Sequence, residues 1–367
     1  MQFSKIIGHQ ALKQQLITTV QENRVSHAQL FLGPEGSGSL ALAVAYAQYI
    51  NCENKLPNDS CGQCSSCNKY EKLIHPDLHF SYPFFAKKNE KTATVFVDDW
   101  RTAFLNNPYL GLGYWTEQLD AENKQANIPI DEAHDIIKKL SLKSFEAEYK
   151  VLIMWLPEYL DTQGNALLKL IEEPPEKTLF ILVAENQDKI LNTIISRTQL
   201  VKVPKLSHQE LTQYLIQFHK VESNRANEIS FIADGNLQSA LNQIQESTNE
   251  QLDLLIRWFR SIVTDAGLTI IQICEEEISK LGRENQKNFL IYSINILRQI
   301  VLCNQGLANL VFIKGAELEF VSRFSEITSL EKLAFAIEIL EKTHYSVERN
   351  ANPKILFLDL SLQLVLV

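Results

Sequence analysis

Hydrophobic positions in the first two hundred residues alternate between helical and strand patterns. Leu12, Leu16 and Val20 recur at helical spacing and predict a helix over residues 11–20. Short apolar runs predict strands over residues 29–32, 79–82, 93–97, 151–155, 179–183 and 200–203. Further helices are predicted over residues 40–50, 131–140 and 161–171. Strands that alternate with helices are typical of a parallel sheet covered on both faces, so we predict an α/β domain.

After Pro204 the pattern becomes helical throughout. Cys274 and Cys303 lie in apolar helical patterns and are predicted to be core residues. The last run, residues 355–367, alternates leucines as a strand does, but it follows Pro353, which suits a helix start. We therefore predict an all-helical C-terminal part that ends in a helix.

Composition and charge narrow the class of protein. The 367 residues are 45% hydrophobic and 22% charged, as in a globular protein of two or three domains. With 44 acidic and 35 basic residues the net charge is -9, which opposes a general affinity for nucleic-acid phosphates. No run approaches the roughly 18 apolar residues of a membrane span, and residues 1–5 carry no apolar signal core. A cytoplasmic protein without a membrane partner is the expectation.

Four of the six cysteines fall within sixteen residues, Cys52, Cys61, Cys64 and Cys67, in the pattern C-x8-C-x2-C-x2-C. A C-x2-C pair places two thiolates on one tight turn, and four thiolates make the closed shell of a structural zinc site. Two alternatives remain open: free thiols, and an iron–sulfur cluster, which also takes four thiolates.

A strand, a glycine-rich loop and a helix follow one another at residues 29–50, as in a phosphate-binding unit. Gly33 and Gly38 have the separation of the G-x-x-x-x-G-K-[ST] loop, with Gly36 between them. Ser39 stands at the lysine position and Leu40 at the magnesium-binding hydroxyl position. Since neither replacement supplies the missing cation or metal ligand, we predict a degenerate loop.

The strand over residues 151–155 ends without the carboxylates that a nucleotide-hydrolysing site requires. Trp155 and Pro157 occupy that strand end, and Glu158 alone is acidic and is predicted to be solvated. Residues 131–134 spell Asp-Glu-Ala-His, a helicase motif, but they follow no buried strand. Asp131 is predicted to be a helix N-cap instead.

Several short segments, each present once, follow one another in a characteristic order along the chain. They are Ile6-Ile7-Gly8-His9-Gln10, Ser26-His27-Ala28, the phosphate loop, the cysteines, His75-Pro76-Asp77, Asn165-Ala166-Leu167-Leu168-Lys169, Glu172-Glu173-Pro174-Pro175 and Ser196-Arg197-Thr198. This ordered set resembles the delta-prime family of clamp-loader subunits of bacterial DNA polymerase III, in the AAA+ superfamily. The resemblance covers roughly residues 1–82 and 128–245, and Asn352 stands in a family-like position before the last helix.

The resemblance implies roles for individual residues. The four cysteines fall where these subunits carry a zinc module beside the phosphate loop. Ser196 and Arg197 fall in the family's Ser-Arg-Cys motif, whose arginine reaches the ATP of a neighbouring subunit; Thr198 replaces the cysteine. Without the resemblance, Arg197 would be interpreted as a surface ion pair. Gln238 stands where ATP-binding relatives place a phosphate-sensing arginine.

The expected architecture is an AAA+ α/β domain over residues 1–203, with the zinc module at 52–67 and an insertion at 83–127, followed by a helical lid at 204–245 and a helical collar at 250–367. The expected function is that of a subunit that does not hydrolyse ATP, lends Arg197 to a neighbour's ATP and helps load the sliding clamp onto primed DNA. The implied partners are the delta and gamma/tau subunits, the clamp and primer–template DNA. The implied cofactors are structural Zn²⁺ in this chain and ATP in its neighbours.

Other functions remain open. The chain could be a gamma/tau-like AAA+ ATPase or helicase with its own nucleotide site, or a zinc-dependent DNA-binding module that acts alone. In the insertion, predicted to be irregular or a mobile flap, aromatic residues and lysines could stack on single-stranded DNA or cover a small core of their own. These residues are Phe84, Phe85, Trp100, Phe104, Tyr109 and Trp115, with Tyr82 just before, and Lys87, Lys88 and Lys91.

Overall fold

The computed structural model describes the chain apart from residues 86–90, 120–125, 161–164, 246–247, 265, 308–309, 312, 314, 349–350 and 366–367. The chain divides into two compact units. The first comprises Met1–Tyr214 and Asp234–Gln238, and the second comprises Leu215–Ala233 and Ser239–Val367. Among the described residues, no helix is both long enough and apolar enough to cross a membrane.

The first unit is built on a sheet in which every strand pair is parallel, as predicted. Its order is β2-β3-β4-β1-β5. The strands are β1 (Ala28–Leu32), β2 (Leu78–Ser81), β3 (Lys150–Trp155), β4 (Thr178–Ala184) and β5 (Gln199–Lys202). Every residue of β3 and β4 is buried, which confirms the prediction of a sheet covered on both faces.

Helices connect these strands. They are α1 (Gln10–Gln21), α2 (Ser39–Ile50), α3 (Ser65–Glu71), α4 (Val97–Asn106), α5 (Leu112–Gln118), α6 (Ile130–Ser141), α7 (Leu168–Glu172) and α8 (Asn192–Ile195). The predicted helix over residues 161–171 lies in part outside the described residues. All twelve residues of α2 are buried, so this helix forms a central rod about 18 Å long.

The C-terminal part is helical, as predicted. Its elements are α9 (His208–His219), α10 (Ser223–Ile232), α11 (Leu237–Gln245), α12 (Thr248–Val263), α13 (Gly267–Gln272), α14 (Arg283–Asn304), α15 (Gly315–Ile327), α16 (Leu330–Glu348) and α17 (Pro353–Val365). The ambiguous final run is thus a helix. Cys274 is buried in the core of the second unit, and the partly buried Cys303 packs against it, as expected.

One predicted strand is wrong. Residues 93–97 form a tight helical turn, Ala93–Phe96, that leads directly into α4. Two contacts hold the turn: Tyr82 donates its hydroxyl to the Ala93 carbonyl at 2.8 Å, and the Ala93 N–H donates to Glu132 Oε2 at 2.7 Å. Asp98 and Asp99 in the first turn of α4 further favour a helix.

The predicted N-cap of α6 is wrong as well. The cap residue is Pro129, whose backbone is extended, and Asp131 lies in the first turn. Asp131 therefore reaches the Lys91 ammonium at 3.5 Å and caps no backbone N–H group that the structure describes. The expectation that residues 131–134 begin a helix and follow no sheet strand is confirmed.

The 83–127 insertion was predicted to be irregular, but it contains α4 and α5, so that prediction is wrong for its described residues. The aromatic side chains singled out above are buried. Trp100 stacks on Tyr82 with ring centroids 4.2 Å apart, and it meets Trp115 and Trp155 at 5.3 Å each. Because Trp155 ends β3, the insertion packs on the sheet as well as on itself. These rings have no exposed face for stacking on DNA, so that alternative is wrong for them. Lys87 and Lys88 lie outside the described residues.

Candidate functional site

The phosphate loop joins β1 to the first turn of α2, as predicted. Gly36 and Gly38 have φ angles of 70° and 91°, which glycine adopts without the strain of a side chain. A side chain at Gly36 would overlap Asn236, and one at Gly38 would lie 2.6 Å from the ring of Tyr109. These two glycines therefore allow other parts of this chain to approach the loop closely.

Ser39, at the lysine position, turns its hydroxyl into the protein. Its Oγ lies 2.9 Å from Ser37 Oγ, and the residue is buried. The Ser37 carbonyl in turn lies 2.7 Å from His9 Nε2. Burial lowers the pKa of His9, so this ring is neutral at pH 7 and adds no positive charge to the loop.

Directly after β3 the chain leaves the extended conformation. Leu156 has a φ of 55°, and Pro157 follows it. Glu158 is brought back against the end of β4, where its Oε1 accepts the N–H groups of Glu185 at 2.6 Å and Asn186 at 2.8 Å. The expectation that Glu158 is solvated is therefore wrong. Burial raises the pKa of its carboxyl, with the two backbone donors partly offsetting that effect.

Little space remains beside the loop. The cavity measures about 20 Å³, enough for one water molecule. Its wall consists of the loop, residues 108–110 of the insertion, Trp155 and the end of β4. Among the described residues that line it there is no lysine or arginine, whereas Glu35 and Glu185 are both present.

Arg197 lies between α8 and β5, about one third exposed. Its Nε pairs with the carboxylate of Glu172, and its Nη1 donates to the Thr193 carbonyl at 2.7 Å and to Ser196 Oγ at 3.3 Å. The surface ion pair that the residues alone suggested is thus present. It joins the Glu172-Glu173-Pro174-Pro175 segment to the Ser196-Arg197-Thr198 segment.

Gln238 approaches the insertion. Its side-chain carbonyl accepts a hydrogen bond from Asn107, and the N–H of Leu237 donates to the Gly36 carbonyl at 3.2 Å. Gln238, which the resemblance places at a phosphate-sensing position, thus makes contacts within this chain.

The four cysteines Cys52, Cys61, Cys64 and Cys67 come together at the end of α2. Their sulfur atoms all lie within 4.8 Å of one another, with Cys61 Sγ and Cys67 Sγ 3.9 Å apart. A tetrahedral shell with metal–sulfur bonds of about 2.3 Å requires sulfur–sulfur distances of about 3.8 Å. The donor set therefore fits a single soft metal ion, and no other part of the described chain gathers three or more such ligands.

Backbone donors surround the sulfurs. The Cys61 N–H points to Cys52 Sγ at 3.3 Å, and the N–H groups of Gln63 and Cys64 point to Cys61 Sγ at 3.5 and 3.3 Å. These last two donors lower the pKa of Cys61 to about 6 and favour the thiolate that a metal binds. Burial raises the pKa of Cys67, a cost that a bound cation would offset.

Asp77 is a buried residue whose role the sequence did not reveal. It accepts the N–H groups of Phe145, Glu146 and Ala147 at 2.6 to 2.9 Å. Burial alone would raise the pKa of Asp77, but these donors hold it below its usual value. Asp77 thus fixes the loop before β3. The sequence signal was the His75-Pro76-Asp77 segment, which gave no indication of the loop it binds.

The comparisons with known proteins agree on one group. A family model described as "DNA polymerase III, delta subunit" matches residues 8–207. The chain is 24% identical to DNA polymerase III subunit tau of Bacillus subtilis over 383 residues, covering 97% of this chain and 60% of tau. It is 26% identical to the delta' subunit of the same organism over 202 residues, covering 55% of this chain and 49% of delta'.

Among solved structures, a DNA polymerase III gamma subunit-related protein of Thermotoga maritima aligns with 95% of this chain and 97% of that chain, with a TM-score of 0.38 and 15% identity. The Bacillus subtilis DNA clamp loader delta protein aligns with 97% of this chain and all of that chain, with a TM-score of 0.33 and 15% identity.

Proposed function

Because the chain belongs to the DNA polymerase III delta-subunit family, whose model matches more than half of its length, we propose that it is a delta-prime-like clamp-loader subunit that does not hydrolyse ATP itself. In this proposal it supports ATP hydrolysis by neighbouring subunits and helps them load the sliding clamp onto primed DNA. The observation that carries the proposal is the phosphate-loop cavity, which holds about one water molecule and has two carboxylates but no cation among its described lining residues.

The chemistry of phosphoryl transfer supports this conclusion. Hydrolysis requires a cation on the transferred phosphate, a hydroxyl and a carboxylate for magnesium, and a group that positions water. Ser39 turns its hydroxyl inward, Leu40 has none, and Glu158 caps backbone N–H groups at the end of β4. The degenerate loop is therefore best explained as a scaffold.

Arg197 is the residue that would act on a neighbour. An arginine presented in trans stabilises the charge that develops on the transferred phosphate, through two parallel N–H donors. Arg197 is partly exposed, and Glu172 already neutralises its charge. In the assembled complex the phosphate of the neighbour's ATP would replace Glu172 as its partner, with Ser196 beside it.

The cysteine cluster would hold structural Zn²⁺. Cys52, Cys61, Cys64 and Cys67 supply all four ligands, which leaves no open position for a substrate. The metal would fix the loop between α2 and α3 and would take no part in ATP chemistry.

Partners and domains follow from the same proposal. We assign residues 1–203 to the AAA+ domain, 204–245 to a lid and 250–367 to a collar that assembles with delta and gamma/tau subunits. Exposed apolar side chains in the helical part support a role in assembly, because such groups normally need a covering surface. Among them are Val263, Leu268, Ile327 and Ile355, each more than 60% exposed. Contact with the clamp and with primer–template DNA would occur within the complex, in the cytoplasm.

A second candidate is a gamma/tau-like ATPase or helicase. The match to tau, which covers 97% of this chain, favours it. It requires nucleotide binding and turnover by this chain alone. Measuring ATP hydrolysis by the purified chain separates the two candidates.

The main experiment reconstitutes the loader with delta and gamma/tau and replaces this chain by its Arg197→Ala variant. We expect the complex to assemble and the ATP site that Arg197 serves to lose on the order of 10³ in turnover. Total ATPase activity then falls by that site's share. Arg24→Ala, which removes another exposed arginine, is the matched control and should change nothing.

Arg197→Lys keeps the charge but loses the two-donor geometry, so we expect an intermediate loss. Undiminished ATPase activity in an intact complex that carries Arg197→Ala would contradict the proposed role in trans.

A further inference from the structure

Residues 107–111 of the insertion, which we name the tyrosine turn, lie directly over the phosphate loop. Asn107 shapes the turn: its Oδ1 accepts the Tyr109 N–H at 3.1 Å, and its carbonyl accepts the Leu110 N–H at 3.2 Å. The turn connects α4 to α5, whose aromatic residues are buried against the sheet. It is therefore held between two helices of the first unit.

Tyr109 makes the central contact. Its ring lies against Gly38, with Cε1 2.6 Å from the position that a β-carbon would take there. Its hydroxyl oxygen accepts the backbone N–H of Ile7 at 2.8 Å. Tyr109 is 7% exposed. One side chain thus spans from the helix N-terminus of the phosphate loop to the segment before α1.

Two further contacts fix the edges of the turn. Asn107 donates to the side chain of Gln238, and Gly111 lies directly beside the Glu35 carboxylate, where a β-carbon would overlap it. Glu35 belongs to the phosphate loop itself. The turn is thus attached to the loop and to the start of α11.

The size of the remaining cavity shows what this arrangement excludes. About 20 Å³ remains, whereas pockets for small organic ligands measure roughly 300–1,000 Å³. A nucleotide could enter only if the tyrosine turn moved out. Its apparent association constant would then be the intrinsic one multiplied by the fraction of molecules in which the turn is displaced.

We propose that Tyr109 occupies the nucleotide pocket and excludes purine nucleoside di- and triphosphates by occupancy, separately from the missing lysine. This inference rests on the proposed function and deepens it, because it names the side chain that fills the pocket and assigns it the exclusion of nucleotide. Its consequence is a nucleotide-free subunit whose surface stays constant while the neighbours exchange ATP and ADP.

The test restores the missing cation with and without the barrier. The full chain is prepared as wild type, Ser39→Lys, Tyr109→Ala and Ser39→Lys/Tyr109→Ala, and binding of ADP is measured by equilibrium dialysis with magnesium. We expect no binding at millimolar ADP for wild type or Ser39→Lys. The double variant should bind at least tenfold more tightly than Ser39→Lys.

Two controls, each combined with Ser39→Lys, separate the barrier from general loosening. Tyr109→Phe keeps the ring and should still exclude ADP, although hydrogen exchange at the Ile7 amide should quicken because its acceptor is gone. Tyr114→Ala removes a tyrosine of α5 that does not line the cavity and should leave ADP binding undetectable. If Tyr109→Ala variants fail to fold, Ser39→Lys is compared with wild type: ADP binding by Ser39→Lys alone overturns the inference, and its absence at millimolar ADP supports it.

The inference is overturned if Ser39→Lys alone binds ADP within tenfold of the double variant, or if a folded double variant does not bind at all. Neither result bears on Arg197, whose role is tested by ATPase activity of the complex. Failure of the barrier and failure of the proposed function are therefore distinguishable.

Discussion

The two ends of α2 have kept different amounts of the chemistry that their sequence patterns suggest. At the N-terminal end the phosphate loop has the glycine spacing of a nucleotide site, but its neighbours are Tyr109, Asn236 and two glutamates. At the C-terminal end the cysteines form a complete set of four ligands around one point. One buried helix joins a site filled by side chains to a site ready for a metal.

This difference teaches that motif spacing and site chemistry are separate properties. Glycine spacing at the loop persists because Gly36 and Gly38 now give room to other parts of the chain. Cysteine spacing persists together with the thiol groups themselves, and their sulfurs remain within metal-binding distance. A pattern therefore predicts a conformation more securely than an activity.

The largest effect on stability is expected at the C-terminal end of α2, in the cysteine cluster. Removing the metal ligands with Cys61→Ser/Cys64→Ser should abolish zinc binding and lower the free energy of unfolding by about 3–5 kcal/mol, because a closed metal shell stabilises the fold around it. Zinc content by atomic emission and urea unfolding measure the two effects. Cys303→Ser, a partly exposed cysteine outside the cluster, is the control.

Wild-type protein that purifies without metal and unfolds at the same urea concentration as the double variant would break the comparison at this end.

A smaller effect on stability is expected at the N-terminal end of α2, in the phosphate loop. Gly38→Ala should cost about 2–4 kcal/mol, from the positive φ and from overlap with the ring of Tyr109. Urea unfolding tests this, with Gly267→Ala as control, since a β-carbon at Gly267 meets nothing within 4 Å. Adding Tyr109→Ala to Gly38→Ala should recover part of the loss. If the changes in unfolding free energy of the two substitutions simply add, the side chain introduced at position 38 does not contact the ring of Tyr109.

The smallest effect concerns Glu158, the acidic residue that follows the end of β3. Its pKa is raised in the folded state, so wild-type protein should lose stability as pH rises from the unfolded value of 4.5 through the folded one. Glu158→Gln can still accept both backbone N–H groups and lacks this slope. We expect its unfolding free energy at pH 7 to stay within about 1 kcal/mol of wild type.

Urea unfolding at pH 4 and at pH 8 checks the direction of this pH dependence. The free energy of unfolding of Glu158→Gln, relative to that of wild type, should be higher at pH 8 than at pH 4. Exposed Glu176→Gln should show no such trend. A large loss of stability at pH 8 for Glu158→Gln would show that the charge itself is required.

The sequence predicted the regular elements well, because their patterns are local. Strands β1 and β3 to β5, the helix after the phosphate loop and the final helix are all where periodicity placed them. The error at residues 93–97 has a nonlocal cause: β-branched and aromatic residues favour a strand there, but Tyr82 and Glu132 hold the backbone in a turn.

The candidate sites were predicted in part. The approach of the four cysteines follows from their spacing, and the loop conformation follows from its glycines. The position of Tyr109 does not follow from any local pattern, because it meets Ile7 across 102 residues of sequence. Glu158 was misjudged for the same kind of reason, since its partners lie at the end of another strand.

The burial of α2 along its whole length has a consequence for how such a chain can change over generations. Its twelve positions hold no charged residue and are all buried, so a charged or larger side chain at any of them would lower the free energy of unfolding. Substitutions are tolerated better in the loops at the two ends of this helix. The buried helix thus fixes the distance between the phosphate loop and the cysteine cluster, while the residues that form each site can differ.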